Sequence, residues 1–204
     1  MQLTFTSRGE TVPATLYADS SKGVVLCPPH PLHGGSRHDT RIIRVARELA
    51  SHDISALCID YGSYGKGVKE VQNVLDAICF MRKRVDALGL LGYSFGAVVA
   101  SNVAVQTDID GFVAMSILKK TNGLTANLHF DCPKLLVHGK RDKVAPYSDF
   151  EQLYKEVSGT KRKIVLDTDH FYMKNYPTII DLASKNICEF FLHIFYQTCS
   201  EKAF

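Results

Sequence analysis

Short apolar runs alternate with amphipathic stretches along nearly the whole chain. Residues 2–7 and 11–17 alternate apolar and polar positions around Arg8-Gly9-Glu10, the pattern of a hairpin with one exposed face. Val24 to Cys27 is continuously apolar, as a strand buried on both faces requires. It runs into a loop over 28–36 that is too rich in Pro and Gly to be helical. Ile42, Ile43, Val45, Ala46, Leu49 and Ala50 then recur at helical spacing. A strand over 55–60, a Gly/Tyr loop over 61–67 and a second amphipathic helix over about 68–83 follow. A strand over 88–91 leads through a turn into a small-residue helix beginning at Ala97. Further strands are expected over 111–118, 133–138 and 163–167, with helices over about 148–157 and 178–195. Residues after Tyr196 read as a fraying tail.

Strands that alternate with helices imply right-handed βαβ units and a mainly parallel twisted sheet with helices on both faces. Nothing in the pattern divides the 204 residues, so 1–204 is expected to form one domain. Ligands of such sheets bind at the carboxyl ends of the strands. The loops after Cys27, Asp60, Tyr93, Leu118, Gly139 and Asp167 are therefore expected to surround one site. Gly92-Tyr93-Ser94-Phe95-Gly96 places a serine on the turn between strand and helix, with its hydroxyl clear of the backbone.

A serine hydroxyl needs a general base, itself oriented by an acid. The loop after the penultimate strand carries Asp142, and the loop after the last carries His170. Asp167 and Asp169 remain alternative acids, and His138, at the end of an apolar strand, reads as a buried histidine rather than a second base. His30, His33, His38 and Asp39 lack the spacing of a helical zinc pair, so no metal is expected. No phosphate-binding or dinucleotide fingerprint precedes a helix, so no cofactor is expected either.

Composition narrows the function classes. A net charge of +3, with Lys and Arg dispersed, gives no nucleic-acid footprint. No apolar run reaches membrane-spanning length and the first residues lack a secretory signal, so a cytoplasmic protein with no membrane partner is expected. Six cysteines without C-x-x-C pairing then read as reduced thiols. Nothing indicates an oligomeric state.

The order Ser94, Asp142, His170, together with His138-Gly139, Val144, Pro146 and Asp169-His170, resembles the α/β-hydrolase superfamily. The loop Pro28-Pro-His-Pro-Leu-His-Gly-Gly35 is similar to the His-Pro-His-Pro-Leu-Tyr-Gly-Gly loop of its small, lid-less dienelactone-hydrolase-like members. Proline at 28 replaces the first histidine, and Tyr61-Gly-Ser-Tyr-Gly65 replaces that group's usual Arg-Gly-x-Gly. The resemblance implies an α/β-hydrolase fold without a cap domain. It also implies catalytic Ser94, Asp142 and His170, and an oxyanion held by the N–H groups of Phe95 and of His30 or, second, Leu32.

These features point to a carboxylesterase that cleaves small or short-acyl esters through an acyl-enzyme. Thioesterase, lactonase and peptidase activity on the same residues remain alternatives, as does a non-catalytic binding protein on a hydrolase fold. The interval from Leu118 to Pro133 has room for at most a short helix, so the site should be open. Tyr93, Met115, Phe171 and Met173 are the candidates to line an acyl pocket. His33, Arg37, Lys119, Lys120, Lys140, Arg141 and Lys143 gather at the same rim, where a positive field would favour acidic esters.

Overall fold

The computed structural model describes residues 1–197. Two antiparallel strands, β1 (Gln2–Ser7) and β2 (Glu10–Tyr17), open the chain, and Gly9 at φ 82° makes their tight turn. Then come β3 (Lys22–Cys27), α1 (Thr40–Ser51), β4 (Ser55–Ile59), α2 (Val68–Met81), β5 (Ala87–Tyr93), α3 (Phe95–Ala104) and β6 (Gly111–Met115). A small hairpin, β7 (Lys120–Thr121) with β8 (Leu124–Thr125), precedes β9 (Lys134–Gly139), α4 (Tyr147–Glu156), β10 (Lys161–Leu166) and α5 (Thr178–Gln197).

Eight strands form one sheet in the order β1-β2-β4-β3-β5-β6-β9-β10. β2 is antiparallel to both its neighbours, and every pairing from β4 to β10 is parallel. The continuous apolar strands are buried on both faces, because side chains alternate across the sheet. Val25, Leu57, Leu90 and Ala114 face the side covered by α2, α3 and α4. Val24, Ala56, Leu91 and Val113 face the side covered by α1 and α5. Gly89 lets α5 sit close to the sheet, since a Cβ there would come within 2.2 Å of the Phe191 ring.

Several local expectations change. The 28–36 loop contains a single 3₁₀ turn, Pro31–His33, which Pro31 favours at its first position and Gly34 ends at φ 80°. β5 runs on to Tyr93 and α3 begins at once at Phe95, so only Ser94 lies between strand and helix. The strand expected over 111–118 stops at Met115, because Ser116 turns to φ 42° and leaves extended geometry. The interval from Leu118 to Pro133, with room for at most a short helix, carries the β7–β8 hairpin. Cys27, Cys58, Cys79, Cys132 and Cys188 are free thiols, while Cys199 and the tail expected after Tyr196 fall, from residue 198 on, outside the described residues. Among the described residues no helix is long and apolar enough to cross a membrane.

Candidate active site

Ser94 sits at φ 55°, ψ −119°, a conformation that costs about 1–3 kcal/mol and persists only where neighbours enforce it. Here the neighbours are backbone. A Cβ at Gly92 would lie 2.2 Å from the Gly96 carbonyl oxygen, and one at Gly96 would lie 2.3 Å from that of Pro28. The Ser94 N–H also donates to the Met115 carbonyl at 2.9 Å, which ties the turn to the end of β6. The serine is thus held at the carboxyl edge of the sheet on a turn that only small flanking residues permit.

His170, after β10, brings Nε2 to 2.9 Å from the Ser94 hydroxyl oxygen. Its Nδ1 lies 2.7 Å from Asp142 Oδ2. The other carboxylate oxygen, Oδ1, accepts the N–H groups of Val144 at 2.9 Å and Ala145 at 2.7 Å. Because the ionised carboxylate can only accept, Nδ1 carries the imidazole proton and Nε2 is left to accept from the serine. Tyr93 fixes the histidine backbone by donating its hydroxyl to the His170 carbonyl at 2.9 Å. All three members of the array are buried. Burial pushes the Asp142 carboxyl up, yet the bonds from His170 and Ala145 outweigh it and leave the pKa below the ordinary carboxylate value.

The two other acids are engaged elsewhere. Asp167 is exposed and pairs with Arg141 at 2.6 Å and with Lys174. Asp169 Oδ1 accepts the N–H groups of Phe171 and Met173 at 3.1 and 3.0 Å. His138 is fully buried, stacks on Phe150 at 4.3 Å and puts Nε2 2.9 Å from the Ala145 carbonyl. Burial pushes its pKa down, so its ring stays neutral.

Beside the hydroxyl, the Phe95 N–H is the first of α3 and has no intrahelical acceptor. Across from it the 28–35 loop folds tightly: a Cβ at Gly35 would fall 2.1 Å from the Pro29 carbonyl oxygen. The His30 N–H has no acceptor among the described residues. Leu32 is different, because its N–H donates to His30 Nδ1 at 3.2 Å and its side chain is 66% exposed. That removes Leu32 as an oxyanion donor.

A cleft of about 240 Å³ opens over Ser94 and His170, walled by Pro29, Tyr93, Val144 and Phe171. Met115 is fully buried among α1 and α5 side chains, and Met173 is exposed, so neither lines it. Met115 shares its sheet face with Tyr93, its register partner on β5, but it is fully buried in the core on that face. Met173 fails because the chain turns outward after Phe171, with Tyr172 at φ 58°. The cleft also holds Arg41, which the sequence reading missed. Arg41 is the second residue of α1, the helix that follows a strand-end loop, and that position was the available signal. Its guanidinium pairs with Asp39 and lies 5.1 Å from the Tyr93 ring centre.

The cationic rim is partly neutralised, since Arg37 pairs with Asp60 and Arg141 with Asp167. Lys120, Lys140 and Lys143 are exposed and have no acidic partner among the described residues. Among those residues no three His, Cys, Asp or Glu side chains converge to hold a metal ion. A larger cleft of about 490 Å³ lies beside Ile109 and Cys132, where the chain enters β6 and β9, at the strand ends opposite the serine.

No family profile and no curated protein matches the chain. Solved structures do. An α/β serine hydrolase homologue from Coxiella burnetii superposes with a TM-score of 0.82 at 19% identity, over 92% of this chain and 97% of that one. A lid-less α/β serine hydrolase from Xanthomonas campestris gives 0.79 at 18% identity, over 95% and 93%. The chain has the α/β-hydrolase fold. A dienelactone hydrolase from Anabaena variabilis, with a TM-score of 0.80 at 16% identity over 95% and 97%, shares this fold. Within the α/β-hydrolase frame, Ser94 occupies the turn after β5, and Asp142 and His170 follow the last two strands.

Proposed function

We propose that the chain is a serine hydrolase, a carboxylesterase of small or short-acyl esters. One observation carries the reading: Ser94, His170 and Asp142 form a continuous hydrogen-bonded array, 2.9 and 2.7 Å, with the base on the hydroxyl and the acid behind the base. Ser94 attacks the ester carbonyl while His170 Nε2 takes its proton. Asp142 holds the ring and stabilises the imidazolium. The carbonyl oxygen, now an oxyanion, is met by the Phe95 N–H at the start of α3 and by the His30 N–H. His170 then returns the proton to the departing alkoxide, and water repeats the sequence on the acyl-enzyme.

The short-acyl preference is supported by the cleft of about 240 Å³, below the common range for drug-sized ligands of ~300–1,000 Å³. A fluorophosphonate probe tests the chemistry, with labelling of the wild-type protein at Ser94 and none of Ser94→Ala as the expected result. A folded wild-type protein that resists the probe overturns the reading. A series of p-nitrophenyl esters tests the substrate class, with kcat/KM expected to fall once the acyl chain outgrows the cleft.

A further inference from the structure

The tip of the β7–β8 hairpin reaches across the site to the loop that bears His30. Asn122 and Gly123, both at positive φ (46° and 83°), form a two-residue turn between Thr121 and Leu124, and the Asn122 amide contacts His30 Nε2. At its other end the hairpin is fixed to α3. Asn102 Nδ2 donates to the Thr125 carbonyl at 3.0 Å, and the Asn127 N–H donates to Ser101 Oγ at 3.1 Å. Leu124 packs so close to Gly67 that a Cβ there would lie 2.6 Å away. The hairpin therefore spans the two segments that would supply the oxyanion donors, α3 with Phe95 and the turn with His30.

We infer that Asn122 is a positioning residue, clasping the His30 ring so that the His30 backbone N–H is held in register with that of Phe95. This rests on the hydrolase reading above. The chemistry of the ring fixes the polarity of the clasp. Leu32 donates its N–H to His30 Nδ1, so that nitrogen is bare and the neutral ring carries its proton on Nε2. The group that Asn122 must present is then its side-chain oxygen, with Nε2–H donating to Oδ1. The ring is set by tilted aromatic contacts as well, with centroids 4.6 Å from Phe95 of α3, 4.8 Å from His33 of its own turn and 5.2 Å from Tyr64. Of the titratable groups around it, burial and His33 push its pKa down and Glu70 of α2 pushes it up. The result is a neutral imidazole, the only form that can hold Leu32 and Asn122 together. A proton on Nδ1 would break the bond from Leu32 and leave the turn to the backbone bonds that His33 and Gly35 donate to the His30 carbonyl.

The test pairs two variants, with steady-state kinetics across pH 5 to 9 and fluorophosphonate labelling in the same preparations. Asn122→Ala is expected to lower kcat about tenfold with KM within about twofold, a fraction of the ~100- to 1,000-fold that follows outright loss of an oxyanion donor. Asn122→Asp keeps an acceptor for Nε2–H but adds a negative charge that favours the protonated ring. It should hold kcat near wild type at alkaline pH, with the acid limb of its profile moved to higher pH. The clasp is overturned if Asn122→Ala retains kcat within twofold, or if the Asn122→Asp profile overlays that of the wild type. Should Asn122→Ala fail to fold, the Asn122→Asp profile decides. Labelling of the wild type at Ser94 separates the two readings: unchanged Asn122 variants of a labelling enzyme sink the clasp alone.

Discussion

The Tyr61 phenol donates a hydrogen bond of 3.0 Å to the Pro28 carbonyl in the interior of the protein. These are the two places where the sequence departs from the dienelactone-hydrolase-like pattern, and they meet. Pro28 begins the loop that leads to His30, and Tyr61 is the second residue of the loop after β4. Tyr61 also stands edge-on to Phe95 at 5.8 Å, so one ring touches both sides of the candidate oxyanion hole. Burial pushes its phenol well above the ordinary tyrosine value, which keeps it a donor throughout the working pH range.

Tyr61→Phe should therefore leave the Pro28 carbonyl buried without a partner. The expected cost is about 1–3 kcal/mol of stability, read by urea unfolding, together with a lowered kcat as the loop loosens. A variant as stable and as active as the wild type would mean that the carbonyl finds another donor.

Asp142→Asn offers a sharper test of the array. Val144 and Ala145 both donate N–H groups to Oδ1, so an asparagine must turn its oxygen toward them. Its NH₂ then faces His170 Nδ1, which can only accept, and the imidazole proton moves to Nε2, against the serine. The geometry survives but the base is gone. A fall in kcat of roughly 10³- to 10⁴-fold is expected, with slowed fluorophosphonate labelling and unchanged thermal unfolding. Activity within tenfold of the wild type would remove Asp142 from its assigned role.

Most of the frame could be read from the sequence, because the sheet is made of doubly buried strands whose continuous apolar runs leave little choice of face. Ser94, Asp142 and His170 could be read because each follows a strand directly, where chain order fixes position. What escaped depends on side-chain direction or on turn chemistry. Met115 is an apolar residue at the correct strand end and on the face of Tyr93, yet it is fully buried in the core there, and Leu32 is a backbone donor consumed by the His30 imidazole. The β7–β8 hairpin had a signal in Asn122-Gly123, the dipeptide suited to a turn with two positive φ angles, yet its strands are only two residues each and show no alternation. Arg41 required knowing how far α1 reaches toward the cleft.

His138 links the site to stability. Its Nε2–H donates to the Ala145 carbonyl, Nδ1 has no partner among the described residues, and burial holds the folded pKa below the ordinary 6.5. As pH falls below about 6.5 the unfolded chain takes up a proton that the folded chain refuses, so unfolding becomes easier. This share of stability is present above pH 6.5 and is lost toward the lower, folded value. His138→Gln keeps a donor for Ala145 but does not titrate. Its unfolding free energy should therefore fall less steeply between pH 6.5 and 5.5, by up to about 1.4 kcal/mol per pH unit. Parallel curves would show that the folded protein takes up this proton as readily as the unfolded chain.

Phe171 sets the expected limit on acyl length. Its ring stands edge-on to His170 at 5.3 Å, walls the cleft and is 48% exposed. Truncation to alanine removes a wall from a cleft of about 240 Å³ without touching the hydrogen bonds of the array. Each methylene newly buried contributes about 0.8 kcal/mol, or roughly fourfold in kcat/KM. Methylenes that overhang the cleft in the wild type contribute nothing. Phe171→Ala should thus raise kcat/KM for hexanoate relative to acetate p-nitrophenyl esters by about four- to fifteenfold, with little change for acetate. An unchanged ratio would place the acyl chain along other lining residues such as Pro29 and His33, and the substitution His33→Ala would then shift the preference instead.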